Sequence, residues 1–314
     1  LDHSATTPVD KAVLKAMLPY FSQAYGNPSS LHSFGQTALA AVNKAREQVA
    51  SFLNCGIGEI IFTSGATEAD NLAVFGAVNA LKRKNPKEKL HVITSAIEHP
   101  AVLEPFRRLE TEGVEVTYLP VQKNGAINLE IFEKAVKDNT VFVSVMYVNS
   151  EVGAIQPIRQ MGKIIEKINK QRVKRGYNKK IYFHTDAVQA LNFLNCDVKY
   201  LRLDLLSLSG HKIYGPKGVG ALFVKAGTPL VGAQLGGHHE NNLRSGTLNV
   251  PAVAGLGEAV KLAAKNQEKN NEQIAKLRDE FVFRLKRQIP KIIVNTDLKN
   301  AAPSHANISF IGAE

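Results

Sequence analysis

Between residues 59 and 224 the chain alternates short runs of β-branched and large apolar residues with longer stretches in which apolar positions recur every three to four residues. The runs at 59–63, 90–94, 114–119, 141–148, 181–184, 203–207 and 220–224 predict strands. The stretches between them predict helices starting at Glu68 and Pro100, others near 129–136 and 160–169, and a short one after residue 184. Ahead of these, Leu39, Val42, Val49, Phe52 and Leu53 fall on one side of a helix over 36–53, which therefore buries a face. Residues 141–148 are apolar at odd and even positions alike, as in a strand covered on both sides. Strand and helix alternating in this way build an α/β fold, a mostly parallel sheet flanked by helices.

From about Gly255 the pattern changes. Ile274, Leu277, Phe281, Leu285 and Ile289 form an apolar stripe on a long, charged helix, followed by strand-like runs at 292–294 and 307–310. We expect a large domain over 15–250 and a smaller α+β domain made of 1–14 and 251–314. The first residue is Leu and the last run stops at a turn, so both ends are expected to be cut and the small domain to be incomplete.

A composition of 44% hydrophobic and 21% charged residues excludes a disordered chain, and no run approaches the roughly 18 apolar residues of a membrane-spanning helix. The net charge of +11 gathers in 82–89 and 167–180, which lack the interleaved aromatic rings of a nucleic-acid stacking platform, so we expect a solvated surface there. Cys55 and Cys196 stand far apart with no paired spacing, as in a chain from the reducing cytoplasm.

In an open α/β sheet the ligand lies beyond the carboxyl ends of the strands, so the residues that follow each run carry the chemistry. After the first come Thr63-Ser-Gly-Ala-Thr-Glu-Ala-Asp70, where Gly65 allows a tight turn and Thr67 with Glu68 can open a helix whose free N–H groups suit a phosphate; an ordinary helix cap explains Thr67 equally well. His99 follows the second run directly before a proline, and Asn149 and Ser150 follow 141–148 as a turn with neutral hydrogen-bonding groups. Asp186 and Gln189 sit three residues apart at the end of 181–184, and a carboxylate buried there needs a cation, for which a protonated pyridine nitrogen is one choice. The strongest element is Ser209-Gly-His-Lys-Ile-Tyr-Gly-Pro-Lys-Gly218. It holds Lys212 in a loop where a desolvated amine suits a Schiff base with an aldehyde cofactor. Arg244-Ser-Gly-Thr247 offers a further phosphate contact.

Taken together, these segments resemble the cysteine desulfurases, pyridoxal-phosphate enzymes of the class V aminotransferase family. The resemblance runs through residues 1–8, Gly26-Asn-Pro-Ser-Ser30, Thr63 to Asn71, Glu98-His99, Asp186 to Gln189, Ser209 to Gly218 and Arg244 to Val250, in order and at the family's spacing. It implies a fold of the type I pyridoxal-phosphate transferases. It also implies that Lys212 bonds the cofactor aldehyde and removes the Cα proton of cysteine, that Asp186 pairs with the ring nitrogen, and that His99 stacks on the ring. Gln189 would meet the phenolic oxygen, with Ala66, Thr67, Ser209 and His211 around the phosphate and Ser150 at a hydrogen-bonding position where the family usually has Asn. Thr247 would come from the neighbouring subunit of a homodimer. The products would be L-alanine and an enzyme-bound persulfide serving iron–sulfur cluster or tRNA thiolation pathways, with sulfur-acceptor scaffold proteins as partners and neither nucleic acid nor membrane bound directly. The family's catalytic cysteine and carboxylate-binding arginine are expected beyond Glu314, so the chain as given would bind cofactor without forming the persulfide. A selenocysteine lyase, another class V enzyme, or a silent sulfur-assembly scaffold are the alternatives. Paired His238 and His239 lack the further ligand spacing of a metal site, and none is expected.

Overall fold

The structure is a computed structural model that describes residues 2–84, 86–177 and 179–313. Three helices come first: α1 (Lys11–Met17), whose N-terminus the Asp10 carboxylate caps at 2.7 Å from Ala12 N, α2 (Pro19–Ser22) and α3 (Ser33–Leu53), which stops at Asn54 in the left-handed conformation. Then follow β1 (Ile60–Thr63), α4 (Ala66–Lys84), β2 (His91–Ser95), α5 (Pro100–Thr111), β3 (Glu115–Leu119), α6 (Leu129–Ala135), β4 (Thr140–Ser144), α7 (Ile158–Lys174), β5 (Tyr182–Asp186), α8 (Val198–Leu201), β6 (Leu205–Ser209) and β7 (Gly220–Val224). The chain finishes with α9 (Val250–Gln288), β8 (Ile292–Val294) and β9 (Ile308–Phe310).

β1 to β7 form one sheet in the order β1-β7-β6-β5-β4-β2-β3, in which β7 alone runs against the rest. Every residue of β2, β4 and β6 is buried, as expected of strands covered on both faces. α4 and α5 pack on one face around Val74, Val78, Phe106 and Phe142; α3, α7 and the first turns of α9 pack on the other around Val49, Ile165, Phe183 and Leu256. The strand ladder of the 141–148 run ends at Ser144, earlier than the sequence pattern suggests, although Val145 N and Tyr147 N still donate to His184 O and Asp186 O of β5.

α9 is continuous from Val250, so the change of pattern near Gly255 marks where one helix leaves the sheet rather than a break in the chain. Its first turns are buried, while Leu277, Phe281 and Phe283 further along are exposed. The segment between β8 and β9 returns to the large sheet through the bridge between Ala154 and Ala301 and through Asn307 Nδ2, which donates to Glu151 O at 3.2 Å. At the opposite edge, Arg46 and Glu240 pair at 2.6 Å, largely buried. Arg46 donates to Ile60 O at 2.5 Å, and Glu240 accepts from Phe62 N at 2.7 Å. The pair thus fills the hydrogen-bonding groups that β1 leaves free on its outer side.

Candidate active site

The carboxyl ends of β1, β2, β4, β5 and β6 open into a single cavity of about 950 Å³, with Ser64, His99, Met146, Asp186 and Ser209 contributed in that order. A Cβ at Gly220 would lie 2.5 Å from Leu208 O and 2.8 Å from the carbonyl carbon of Gly65, so the loop after β1 rests on the start of β7 because Gly220 carries no side chain. That contact sets the N-terminus of α4 at the cavity wall, where Ala66 and Thr67 lie in the turn whose N–H groups have no intrahelical acceptor. Glu68 accepts from Ser64 N at 2.6 Å and Arg244 Nε at 2.8 Å. Burial acts to raise its carboxyl, yet these bonds hold it below the usual range. Arg244 is therefore turned onto Glu68, away from the phosphate contact expected of it.

His99 caps α5, its Nδ1 accepting from Ala101 N at 3.1 Å. Behind it Glu98 is buried; its carboxylate meets Met146 N at 2.9 and 3.0 Å and Ser95 Oγ at 2.5 Å, but burial dominates and pushes it up to about 8. Asn149 forms the expected turn, its Oδ1 accepting from Glu151 N and Val152 N at 3.0 Å, and Ser150 lines the cavity. Asp186 is buried with Val188 N donating to Oδ1 at 2.9 Å. Burial raises its pKa, against the opposing influence of the Val188 hydrogen bond, His99 and Lys212. Asp70, also in the wall, is fully buried with neither oxygen hydrogen-bonded, and both burial and the nearby Asp186 raise it well above the carboxylate range. His184 stands 3.6 Å from it, between Ser144 Oγ at 2.8 Å and Ser207 Oγ at 2.9 Å, with burial pulling the imidazole down to about 3.

Lys212 is half-buried, and burial lowers the affinity of its amine for a proton, against Asp186, Asp2 and Glu151. Its Nζ donates to Ser4 O and, at 2.9 Å, to Ala5 O, while Gln189 Nε2 donates to the same Ser4 O at 2.9 Å. The N-terminal segment is strapped onto this loop: Thr7 N and Oγ1 both donate to His211 O at 3.0 Å, and Tyr214 N donates to Thr7 Oγ1 at 2.8 Å. These bonds help hold Tyr214 at φ 62°, a left-handed conformation that a bulky residue adopts only under constraint. From the C-terminal side come His305 and Asn307. His305 Nε2 lies 3.2 Å from Ser4 Oγ, and its ring packs over Gly153 at φ 73°, where a Cβ would meet His305 Cβ at 2.5 Å.

The cavity thus brings together Lys212, His99, Ala66, Thr67, Ser150, Asp186, Gln189, Ser209 and His211. Thr247 is exposed and outside the wall. Strand-end inspection misses Ser4, His305 and the acid Asp70, which come from a terminus, a distant loop and the second turn of a helix. Cys55 and Cys196 lie away from the cavity; burial pushes each thiol up to about 12, the opposite of a reactive thiolate. His238 meets Asn242 Oδ1 at 2.5 Å, and His239 meets Gly237 O at 2.6 Å.

A mostly parallel sheet with a lysine and a buried aspartate at its carboxyl ends is the architecture of the type I pyridoxal-phosphate transferases. The family model for class-V aminotransferases matches residues 1–314, and the chain belongs to that family. It is 43% identical over 316 residues to the cysteine desulfurase IscS of Clostridium botulinum, covering all of this chain and 76% of that protein. To the cysteine desulfurase IscS of Ehrlichia chaffeensis it is 45% identical over 314 residues, 99% of this chain and 73% of the relative. Among solved structures, a NifS-like protein superposes with a TM-score of 0.91 at 37% identity, covering 98% of this chain and 80% of that one. SspA in complex with cysteine superposes at 0.81 with 38% identity, covering 98% and 82%.

Proposed function

We propose that this protein is a pyridoxal-phosphate-dependent cysteine desulfurase that takes sulfur from L-cysteine and releases L-alanine. The observation that carries the reading is one cavity holding a half-buried amine, a buried acid and an open helix N-terminus. These are the groups that an aldehyde, a basic ring nitrogen and a phosphate require, so the residues present fit the cofactor.

Ala66, Thr67, Ser209 and His211 would hold the phosphate, with Ser150 as a further neutral contact. Asp186 would hold a proton at the ring nitrogen, His99 would lie against the ring and Gln189 would donate to the phenolic oxygen. Bound there, pyridoxal phosphate supplies an aldehyde that captures amines and a ring that accepts electron density from bonds broken at Cα. Lys212, its amine partly desolvated, moves the Cα proton. Ser4 O and Ala5 O give that amine acceptors when it is free. The sulfur acceptor is a thiol other than Cys55 and Cys196, neither of which lines the cavity.

Thr247 lies outside its own chain's cavity, which favours a homodimer in which each copy completes the other's phosphate site. The two-domain division at about residue 250, a cytoplasmic setting and delivery of sulfur to scaffold proteins for iron–sulfur cluster or tRNA thiolation pathways complete the proposal. Among the described residues, no helix is long and apolar enough to cross a membrane.

Borohydride treatment of the protein with pyridoxal phosphate should fix the cofactor on Lys212, read by peptide mass. Label on a different lysine would overturn the assignment, and exchange of the cysteine Cα proton at an unchanged rate in Asp186→Ala would remove Asp186 from its role.

A further inference from the structure

The sheet carries a second cavity, of about 820 Å³, at the end away from the cofactor site. Leu203 and Asp204 precede β6, Lys225 follows the reversed β7 and Glu59 precedes β1, so a full strand length separates this cleft from Ser209 and Lys212. Ile165, Val198, Leu203 and Phe223 form its floor, and Val173, 71% exposed, stands at the rim with Tyr177.

The acids of the cleft are already matched. Glu166 pairs with Lys170 at 2.9 Å and with Arg202; Asp204 pairs with Lys180 at 2.5 Å and accepts from Phe183 N at 3.0 Å. Glu59 accepts from Gly56 N at 2.8 Å and Ala226 N at 2.7 Å. Lys179 turns outward to Glu88 at 2.6 Å. Lys174, Lys199 and Lys225, all in the wall, form no ion pair among the described residues. The expected solvated lysine stretch is thus in part the rim of an apolar cleft holding unmatched positive charge.

We propose that this cleft docks an acidic polypeptide segment carrying a bulky apolar side chain. The apolar side chain would fill the floor, and its carboxylates would meet Lys174, Lys199 and Lys225; the chain's net charge of +11 steers such a partner inward. A single exposed ring, Tyr177, is too little stacking surface for single-stranded nucleic acid. The site is far from the chemistry, so its occupant recruits or regulates the enzyme without blocking the cofactor.

The test uses cofactor-loaded protein and a fluorescein-labelled peptide of alternating Glu and Ser around a central Phe. It should bind the unaltered protein and weaken by roughly tenfold or more in K174E/K199E/K225E. The control K265E/K269E/K276E, on the exposed side of α9, carries the same net charge and should bind as the unaltered protein does. K174A/K199A/K225A should weaken binding less than the reversals, which separates docking from misfolding. The proposal fails if the unaltered protein does not bind the peptide, if the α9 control loses binding equally, if replacing the Phe by Ser changes nothing, or if a single-stranded RNA of equal charge binds as tightly.

Discussion

The two ends of the seven-stranded sheet are made by the same strands and dispose of their charges in opposite ways. At the amino end of β6 the acids of the cleft each have a cation or backbone N–H groups as partners. At the carboxyl end Asp70, Glu98 and Asp186 are buried close together, and burial raises all three. Burial therefore favours the neutral, protonated form of the acids at the carboxyl end, whereas those at the far end meet cations and backbone N–H groups.

The sharpest test of that contrast is Lys212→Ala, which should slow exchange of the cysteine Cα proton by roughly 10²–10⁴-fold and abolish borohydride-trapped cofactor, with the thermal midpoint little changed. Asp186→Asn keeps the shape and removes the charge; a fall of roughly 10²–10³-fold in the same exchange is expected, with weaker cofactor retention on gel filtration. Arg46→Ala reverses the pattern. It strands Glu240 beside β1 and should cost about 3–5 kcal/mol in chemical denaturation, leaving the cavity chemistry of surviving folded protein intact.

The pH dependence of the apoprotein separates the two kinds of buried group. Glu98, raised from 4.5 to about 8, contributes stability that is present below pH 4.5 and lost as pH rises through 8. His184, lowered from 6.5 to about 3, acts in the other direction, and its contribution is lost as pH falls from 6.5 toward 3. Glu98→Gln should flatten the alkaline limb of a midpoint-versus-pH curve and leave the acid limb in place; an unchanged alkaline limb would show that Glu98 is not the group responsible. The smallest effect belongs to Lys180→Ala at the far end. Half-exposed Lys180 should be worth at most about 1 kcal/mol, with cofactor binding unaltered.

The sequence pattern located each strand of the large sheet to within a few residues, and β2, β4 and β6 show the physical reason, since every one of their residues is buried. Lys212, Asp186 and His99 were legible as cavity residues for a related reason, standing at or just beyond the ends of strands. Ser4 was not legible, because its bond to Lys212 spans 208 positions and no local periodicity encodes a contact that the sheet topology creates. His305 was hidden likewise, entering the cavity on a loop admitted by the bare Gly153. Asp70 shows a different failure: a helical acid ordinarily faces water, and only the packing of α4 on β4, β5 and β6 reveals that this one does not.

β1 ends the large sheet, and an unprotected rim of that kind invites a foreign strand to extend the ladder from molecule to molecule. The Arg46–Glu240 pair occupies the donor and acceptor that such a strand would need, imitating a neighbour that cannot itself be extended. Its two side chains thereby guard against fibrous self-association, a service separate from the stability they lend to a single molecule.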